Sequence, residues 1–149
     1  MVQSADILLV EPSVADAERV RRALKQQHAR AAVLVLGDSG EAVEYLLRSG
    51  RYANQPVALP PKVILLDLWT PFADGCDVLR RIRTNPATRA TPVVVLSTSP
   101  NDWDVLRCYQ LGASSYMAKP AQPEQLAKVV YEVARYWMAT GGPGAGTAE

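Results

Sequence analysis

Short uninterrupted apolar runs alternate along the chain with longer stretches in which apolar residues recur every three or four positions. The runs are Ile7-Leu8-Leu9-Val10, Ala32-Val33-Leu34-Val35-Leu36, Val63-Ile64-Leu65-Leu66, Pro92-Val93-Val94-Val95-Leu96 and Ser115-Tyr116-Met117-Ala118. Runs this short, bounded by prolines, glycines and acids, read as strands buried on both faces, as in a parallel sheet under helices. The periodic stretches read as amphipathic helices. Val14, Ala17, Val20 and Leu24 supply the apolar face of the first, Ala42, Val43, Leu46 and Leu47 of the second, Val78, Leu79 and Ile82 of the third, and Val105, Leu106 and Tyr109 of the fourth. The last carries Leu126, Val129, Val130, Val133 and Trp137 at core spacing, with a second stripe of Tyr131, Ala134 and Met138 about a hundred degrees away.

Start and stop signals agree with these boundaries. Ser13 with Asp16 three residues on resembles a capping box, after Pro12 has pushed Glu11 toward extended geometry, and the helix it opens runs to about Gln27. Asp38 with Glu41 and Asp74 with Asp77 repeat the cap-and-acid pattern, and the helices they open stop near Gly50 and by Pro86. Ser99-Pro100-Asn101-Asp102 starts a helix that ends at Gly112, and Pro123 starts one that ends at about Met138. Five strands, each followed by a helix, are the signature of an α/β doubly wound parallel sheet, and right-handed crossovers leave few topologies for it. The expected domain spans 1–139, followed by a glycine-rich, disordered tail at 140–149. The proline-bearing loop 51–62 is longer than most connections in such folds.

Composition narrows the function classes. With 149 residues, 48% hydrophobic and 21% charged, the chain is one globular domain. Its 16 basic and 15 acidic residues leave a net charge of +1, which supplies neither a nucleic-acid footprint nor a patch for an anionic membrane. Arg19, Arg21 and Arg22 read as a solvated helix face, and His28 as an exposed polar residue. Cys76 and Cys108 form no CxxC pair, and no secretion signal or run long enough to cross a bilayer is present, so a cytoplasmic setting is expected.

In sheets of this kind the ligand site forms outside the carboxyl ends of the strands, where strand order reverses. The residues delivered there are Glu11, Asp67, Ser97 and Lys119. Two carboxylates with a loop carbonyl make an oxygen site suited to Mg²⁺, whose remaining ligands are waters and substrate phosphate. An aspartate can accept a phosphoryl group as nucleophile, while an ammonium and a hydroxyl balance its oxygens. No GxGxxG or GxxxxGK occurs, which disfavours a nucleotide-binding reading.

These residues resemble the receiver domains of bacterial two-component response regulators, a flavodoxin-like fold. The resemblance covers about residues 6–138 and rests on Ile7-Leu8-Leu9-Val10-Glu11, Leu65-Leu66-Asp67-Leu68 with Pro71 and Asp74-Gly75, Pro92 through Ser97, and Lys119-Pro120. It implies that Asp67 is the phosphoacceptor, Glu11 an acidic-pocket residue, Trp69 the donor of a backbone carbonyl to Mg²⁺, Ser97 and Tyr116 the switch pair, and Lys119 the phosphate-contacting lysine. Gly50-Arg51-Tyr52-Ala53-Asn54 and Tyr136-Trp137 look like the stand-alone regulators paired with cyanobacterial phytochromes and bacteriophytochromes. The implied partner is then a phytochrome-type sensor histidine kinase. The implied role is non-enzymatic signalling through altered protein contacts, without an output domain, DNA binding or membrane attachment. A homodimer through residues 101–138 is expected from the two-striped last helix. One departure stands out: where the family pattern has a second acid after Glu11, this chain has Pro12, so Mg²⁺ binding is expected to be weak. The alternative is a phosphorylation-independent receiver-like interaction module with a degenerate metal site. An unrelated small enzyme on the same sheet is a more distant third reading.

Overall fold

The computed structural model of the chain describes residues 5–27, 32–55, 60–70, 73–97 and 102–140. Its elements in order are β1 (Ile7–Val10), α1 (Val14–Gln27), β2 (Val33–Leu36), α2 (Ser39–Leu47), β3 (Val63–Asp67), β4 (Trp69–Thr70), β5 (Ala73–Asp74), α3 (Gly75–Thr84), β6 (Val93–Ser97), α4 (Asp102–Gln110), β7 (Ser115–Ala118) and α5 (Pro123–Thr140). Five strands form one sheet in the order β2-β1-β3-β6-β7, every pair parallel. The chain leaves β1 toward β2, then crosses back to β3, so the order reverses between β1 and β3. This is the flavodoxin-like doubly wound sheet expected from the alternating pattern.

Alternate strand residues feed two cores, as the pleat requires. Leu8, Val10, Ile64, Leu66, Val93 and Val95 pack with Ala42, Val43 and Leu46 of α2, Val78, Leu79 and Ile82 of α3, and Cys108 of α4. Ile7, Leu9, Val63, Leu65, Val94 and Leu96 pack with Ala17, Val20 and Leu24 of α1 and with Leu126, Val130, Ala134 and Trp137 of α5. Burying both faces explains why β1, β3 and β6 are continuous apolar runs.

Several expectations need correction. Val14 is 84% exposed, because the first residue of α1 stands beyond the carboxyl edge of the sheet and has no strand beneath it. Ala134 is fully buried in the core, and Met138 packs against that core, so the second stripe of α5 is not an uncovered apolar face. Among the described residues, the large exposed apolar groups of this region are Leu106, Tyr109 and Tyr136. Asp74 stands directly before α3, with Asp77 in the first turn as expected, but its backbone also belongs to a strand. It pairs with Trp69 in the antiparallel β4-β5 ribbon, and the helix begins at Gly75. α5 reaches Thr140, the first residue of the expected tail, while 141–149, His28 and the Ser99-Pro100-Asn101 helix start lie outside the described residues.

At the amino edge of the sheet, away from the acids, one guanidinium ties three segments together. Arg83 of α3 donates to the carbonyls of Gly112 (2.8 Å), Thr91 (2.6 Å) and Arg89 (3.1 Å) and to Ser114 Oγ (3.2 Å). Ser114 Oγ also accepts the Val93 amide at 3.0 Å, so the clamp fixes the entries to both β6 and β7. Gly112 has φ +102°, and a Cβ there would meet Arg83 Cγ at 2.8 Å, so the turn needs glycine for conformation and for room. Arg83→Ala should therefore lower the free energy of unfolding by about 2–3 kcal/mol, since it strands partly buried carbonyls. Arg83→Lys should recover less than half of that loss, because one ammonium cannot span the same acceptors. Urea denaturation of the three proteins measures both.

Candidate functional site

The reversal between β1 and β3 brings together side chains from four separate stretches of sequence. Asp67 is the last residue of β3 and Ser97 the last of β6, while Glu11 and Lys119 immediately follow β1 and β7. Register aligns them: Val10 pairs with Leu66, Asp67 with Leu96, and Ser97 with Ala118. The main chain continues the ladder past the strand ends, the Leu68 amide donating to Leu96 O (2.9 Å) and the Lys119 amide to Ser97 O (2.8 Å). Gly75 N donates to Leu68 O at 3.0 Å, and a Cβ at 75 would stand 2.5 Å from that oxygen, so only glycine lets α3 start this close behind Asp67.

At the centre stands the Lys119 ammonium, its side chain 7% exposed. Nζ lies 2.7 Å from Glu11 Oε1, 3.0 Å from Asp67 Oδ2 and 3.2 Å from Asp16 Oδ2. Burial by itself lowers the affinity of this ammonium for its proton, but the hydrogen bonds to Glu11 and Asp67 more than offset it, leaving its pKa above the ordinary lysine range. Glu11 goes the other way. Burial raises its carboxyl above the usual range, and the bonds to Lys119 and the Ser13 amide offset only part of the rise.

Asp16 was not among the residues expected at the site; the sequence offered it only as a partner in helix capping. Half of that capping box is present, the Asp16 amide donating to Ser13 Oγ at 3.2 Å. The reciprocal half is taken by Glu11, whose Oε2 accepts the Ser13 amide at 3.1 Å. The Asp16 carboxylate is thereby left to reach Lys119 and, at 3.4 Å, Arg19. The signal for this role was the i+3 spacing itself, which puts the acid in the first helical turn beside the strand ends.

Ser97 is fully buried and Tyr116, in β7, is half-buried against the core that holds Cys108. The Tyr116 hydroxyl is buried without a well-formed hydrogen bond. Burial pushes its pKa up, and the neighbouring Ser97 hydroxyl pulls the other way. The two expected switch residues are thus brought together. Trp69 lies two residues past Asp67 with its backbone in β4.

The donor set suits a hard divalent cation in one respect only. Glu11 and Asp67 offer carboxylate oxygens that converge on one point, which matches the one or two carboxylates Mg²⁺ commonly uses. Among the described residues no three Asp, Glu, His or Cys side chains are grouped as a metal cage. Pro12 contributes neither a ligand nor an amide hydrogen, so an ion here would keep most of its waters.

Known proteins resemble this chain along most of its length. Residues 7–131 match the response regulator receiver domain. The chain is 39% identical over 134 residues to response regulator Rcp1 of Synechocystis sp., covering 90% of this chain and 89% of that one. Two solved structures superpose on it closely. The phosphorylated cyanobacterial phytochrome response regulator RcpA does so with a TM-score of 0.83 and 37% identity, over 93% of this chain and 96% of its own. The Mn²⁺-bound form of response regulator Rcp1 does so with a TM-score of 0.81 and 39% identity, over 90% and 94%.

The buried ammonium makes a prediction about stability and pH. Lys119→Met should cost about 3 kcal/mol at pH 7, the usual penalty for leaving buried charge uncompensated. The deficit should shrink toward pH 5. Without the ammonium that holds it down, burial and the Asp67 charge raise the Glu11 carboxyl further above its unfolded value, the native state then binds more protons than the unfolded chain, and its stability rises as pH falls. In the parent, the contribution of Lys119 is fully present below its unfolded value of 10.5 and is lost only as pH rises through the higher folded one. Urea denaturation at pH 7 and pH 5 checks this: an equal deficit at both would mean lost packing, not lost charge balance.

Proposed function

The chain belongs to the response regulator receiver domain family, and we propose that it is a stand-alone receiver that accepts a phosphoryl group on Asp67 from a partner sensor histidine kinase of phytochrome type. It then signals, in the cytoplasm, by changing its protein contacts, without itself binding DNA or a membrane. The observation that carries this reading is the Lys119 ammonium 3.0 Å from the Asp67 carboxylate inside a buried acidic pocket at the strand-order reversal. A structural ion pair alone needs one acid, not a second buried one beside it.

The step is an in-line displacement. An Asp67 carboxylate oxygen attacks the phosphorus of the kinase phosphohistidine, the P–O bond forms as the P–N bond breaks, and the imidazole nitrogen leaves with the electron pair. Lys119, already in contact with Asp67, turns its ammonium to a phosphoryl oxygen, and Ser97 donates its hydroxyl to another. Glu11, Asp67 and the Trp69 backbone carbonyl are the groups that would hold Mg²⁺, which supplies charge neutralisation between acceptor and phosphoryl oxygens. The relative Rcp1 has been solved with Mn²⁺, which supports a divalent site of this class. Tyr116 follows Ser97 as the readout of the change. The phytochrome-type partner is supported by RcpA, a phytochrome response regulator solved in its phosphorylated form.

Incubation with a small acyl phosphate and Mg²⁺ should add one phosphoryl group, acid-stable and alkali-labile by mass spectrometry, and absent from Asp67→Asn. A protein that stays unmodified there and with a phytochrome-type kinase would instead be the phosphorylation-independent interaction module that Pro12 favours. Leu106, Tyr109 and Tyr136, each about half exposed, further support self-association through α4 and α5. Sedimentation at micromolar concentration should give a dimer that Leu106→Asp weakens by at least about tenfold, the scale of one disrupted interface anchor.

A further inference from the structure

The pocket is one carboxylate short in the loop and has one more than expected from the helix. Position 12 is proline, whereas Asp16, one helical turn later, comes 3.2 Å from the same ammonium that Glu11 and Asp67 hold. We infer that Asp16 is a positioning residue of the acceptor site, supplying from the first turn of α1 the negative charge that Pro12 withholds, by holding Lys119 and bonding the water shell of the divalent ion. The inference rests on the reading of Asp67 as an ion-assisted acceptor.

Three observations place Asp16 in this role. First, its carboxylate is released for it: in a complete capping box it would turn back to the Ser13 amide, but Glu11 Oε2 already fills that amide. Pro12 contributes to this exchange, because a residue without an amide hydrogen leaves Ser13 N as the nearest donor for Glu11. Second, Asp16 is neither buried with the acids nor free on the surface: its side chain is 26% exposed and touches buried Lys119 on one side and exposed Arg19 on the other. A carboxylate at the mouth of the pocket suits bonding to metal-bound water better than direct coordination, in keeping with the lack of a three-acid cage. Third, Lys119 is contested. It must leave Asp67 enough to admit an ion and a phosphoryl group, and the Asp16 carboxylate, already 3.2 Å from the ammonium, gives it a second partner. The rival account is an incidental rim ion pair, which is worth little in water.

The test is a binding cycle on the full chain, with free Mn²⁺ counted by its electron paramagnetic resonance signal, so that no enzymatic step or optical change is needed. Asp16→Asn should weaken Mn²⁺ binding about tenfold, the lower end of what lost outer-shell partners cost. Asp16→Glu should restore most of it. Glu18→Gln removes an acid of the same helix that pairs with Arg21 away from the pocket, and should leave affinity unchanged. Pro12→Asp should tighten binding in the parent, and in that background Asp16→Asn should cost less than about twofold, because two groups that fill one role are not additive. An unchanged affinity in Asp16→Asn, an equal loss in Glu18→Gln, or the full loss persisting beside Pro12→Asp would each overturn the inference while the acceptor reading stands. A parent that binds no Mn²⁺ at millimolar concentration and takes up no phosphoryl group would overturn both.

Discussion

The carboxyl edge of this protein is organised by the cost of keeping charge away from water. Glu11, Asp67 and Lys119 are each nearly inaccessible, and none could be ionised there alone without losing several kcal/mol of hydration. Their mutual placement offsets that cost. One ammonium serves the acid that follows β1, the acid that ends β3 and one in the first turn of α1, so the register of the sheet and the start of the helix are tied to the same nitrogen. In these contacts three acids surround one cation. A site built this way is stable enough to fold yet still attracts a cation.

The sequence disclosed most of this because buried parallel strands leave a plain trace. Runs such as Val63-Ile64-Leu65-Leu66 need no partner to be recognised, and the residue that ends each run sits at the carboxyl edge, so Glu11, Asp67, Ser97 and Lys119 could be placed without knowing strand order. What escaped depends on distances across the fold. Val14 keeps helical spacing with Ala17 and Val20, but spacing does not say where the sheet stops. Ala134 seemed to lie off the core face, yet α5 packs against α1 so closely that a methyl group is what fits there. The β4-β5 ribbon has two residues per strand, too few for any alternation to appear. Asp16 was visible as a cap residue, and only the competing bond from Glu11 to Ser13 shows that its carboxylate is turned elsewhere.

Pro12 illustrates how one residue alters a site through what it lacks. A side chain with an acid would have brought a ligand, and a residue with an amide would have brought a donor; proline brings neither. Its ring Cδ crowds the preceding residue and favours an extended Glu11, whose carboxylate accepts the Ser13 amide while the Ser13 hydroxyl caps the Asp16 amide. The start of α1 is therefore part of the acid pocket, not a separate element that happens to follow it. Arg83 plays the opposite part at the other edge of the sheet, where a single guanidinium saturates loop carbonyls and nothing is left over for chemistry.

Burial is also uneven across the sheet that carries the site. β1, β3 and β6 are buried along their whole length, and shifting any of them would open both cores at once. β7 is one of the two edge strands, with β2 at the other side, and it is half-buried along most of its length and exposed at Ala118. Its two ends of influence are fixed by contact: the amide of Lys119 is bonded to Ser97 O, and Tyr116 leans on the core that receives Cys108 from α4. A charged centre at Asp67 that pulled on Lys119 and Ser97 would act on a strand with less burial to lose than β1, β3 or β6, because each of those is closed in on both faces.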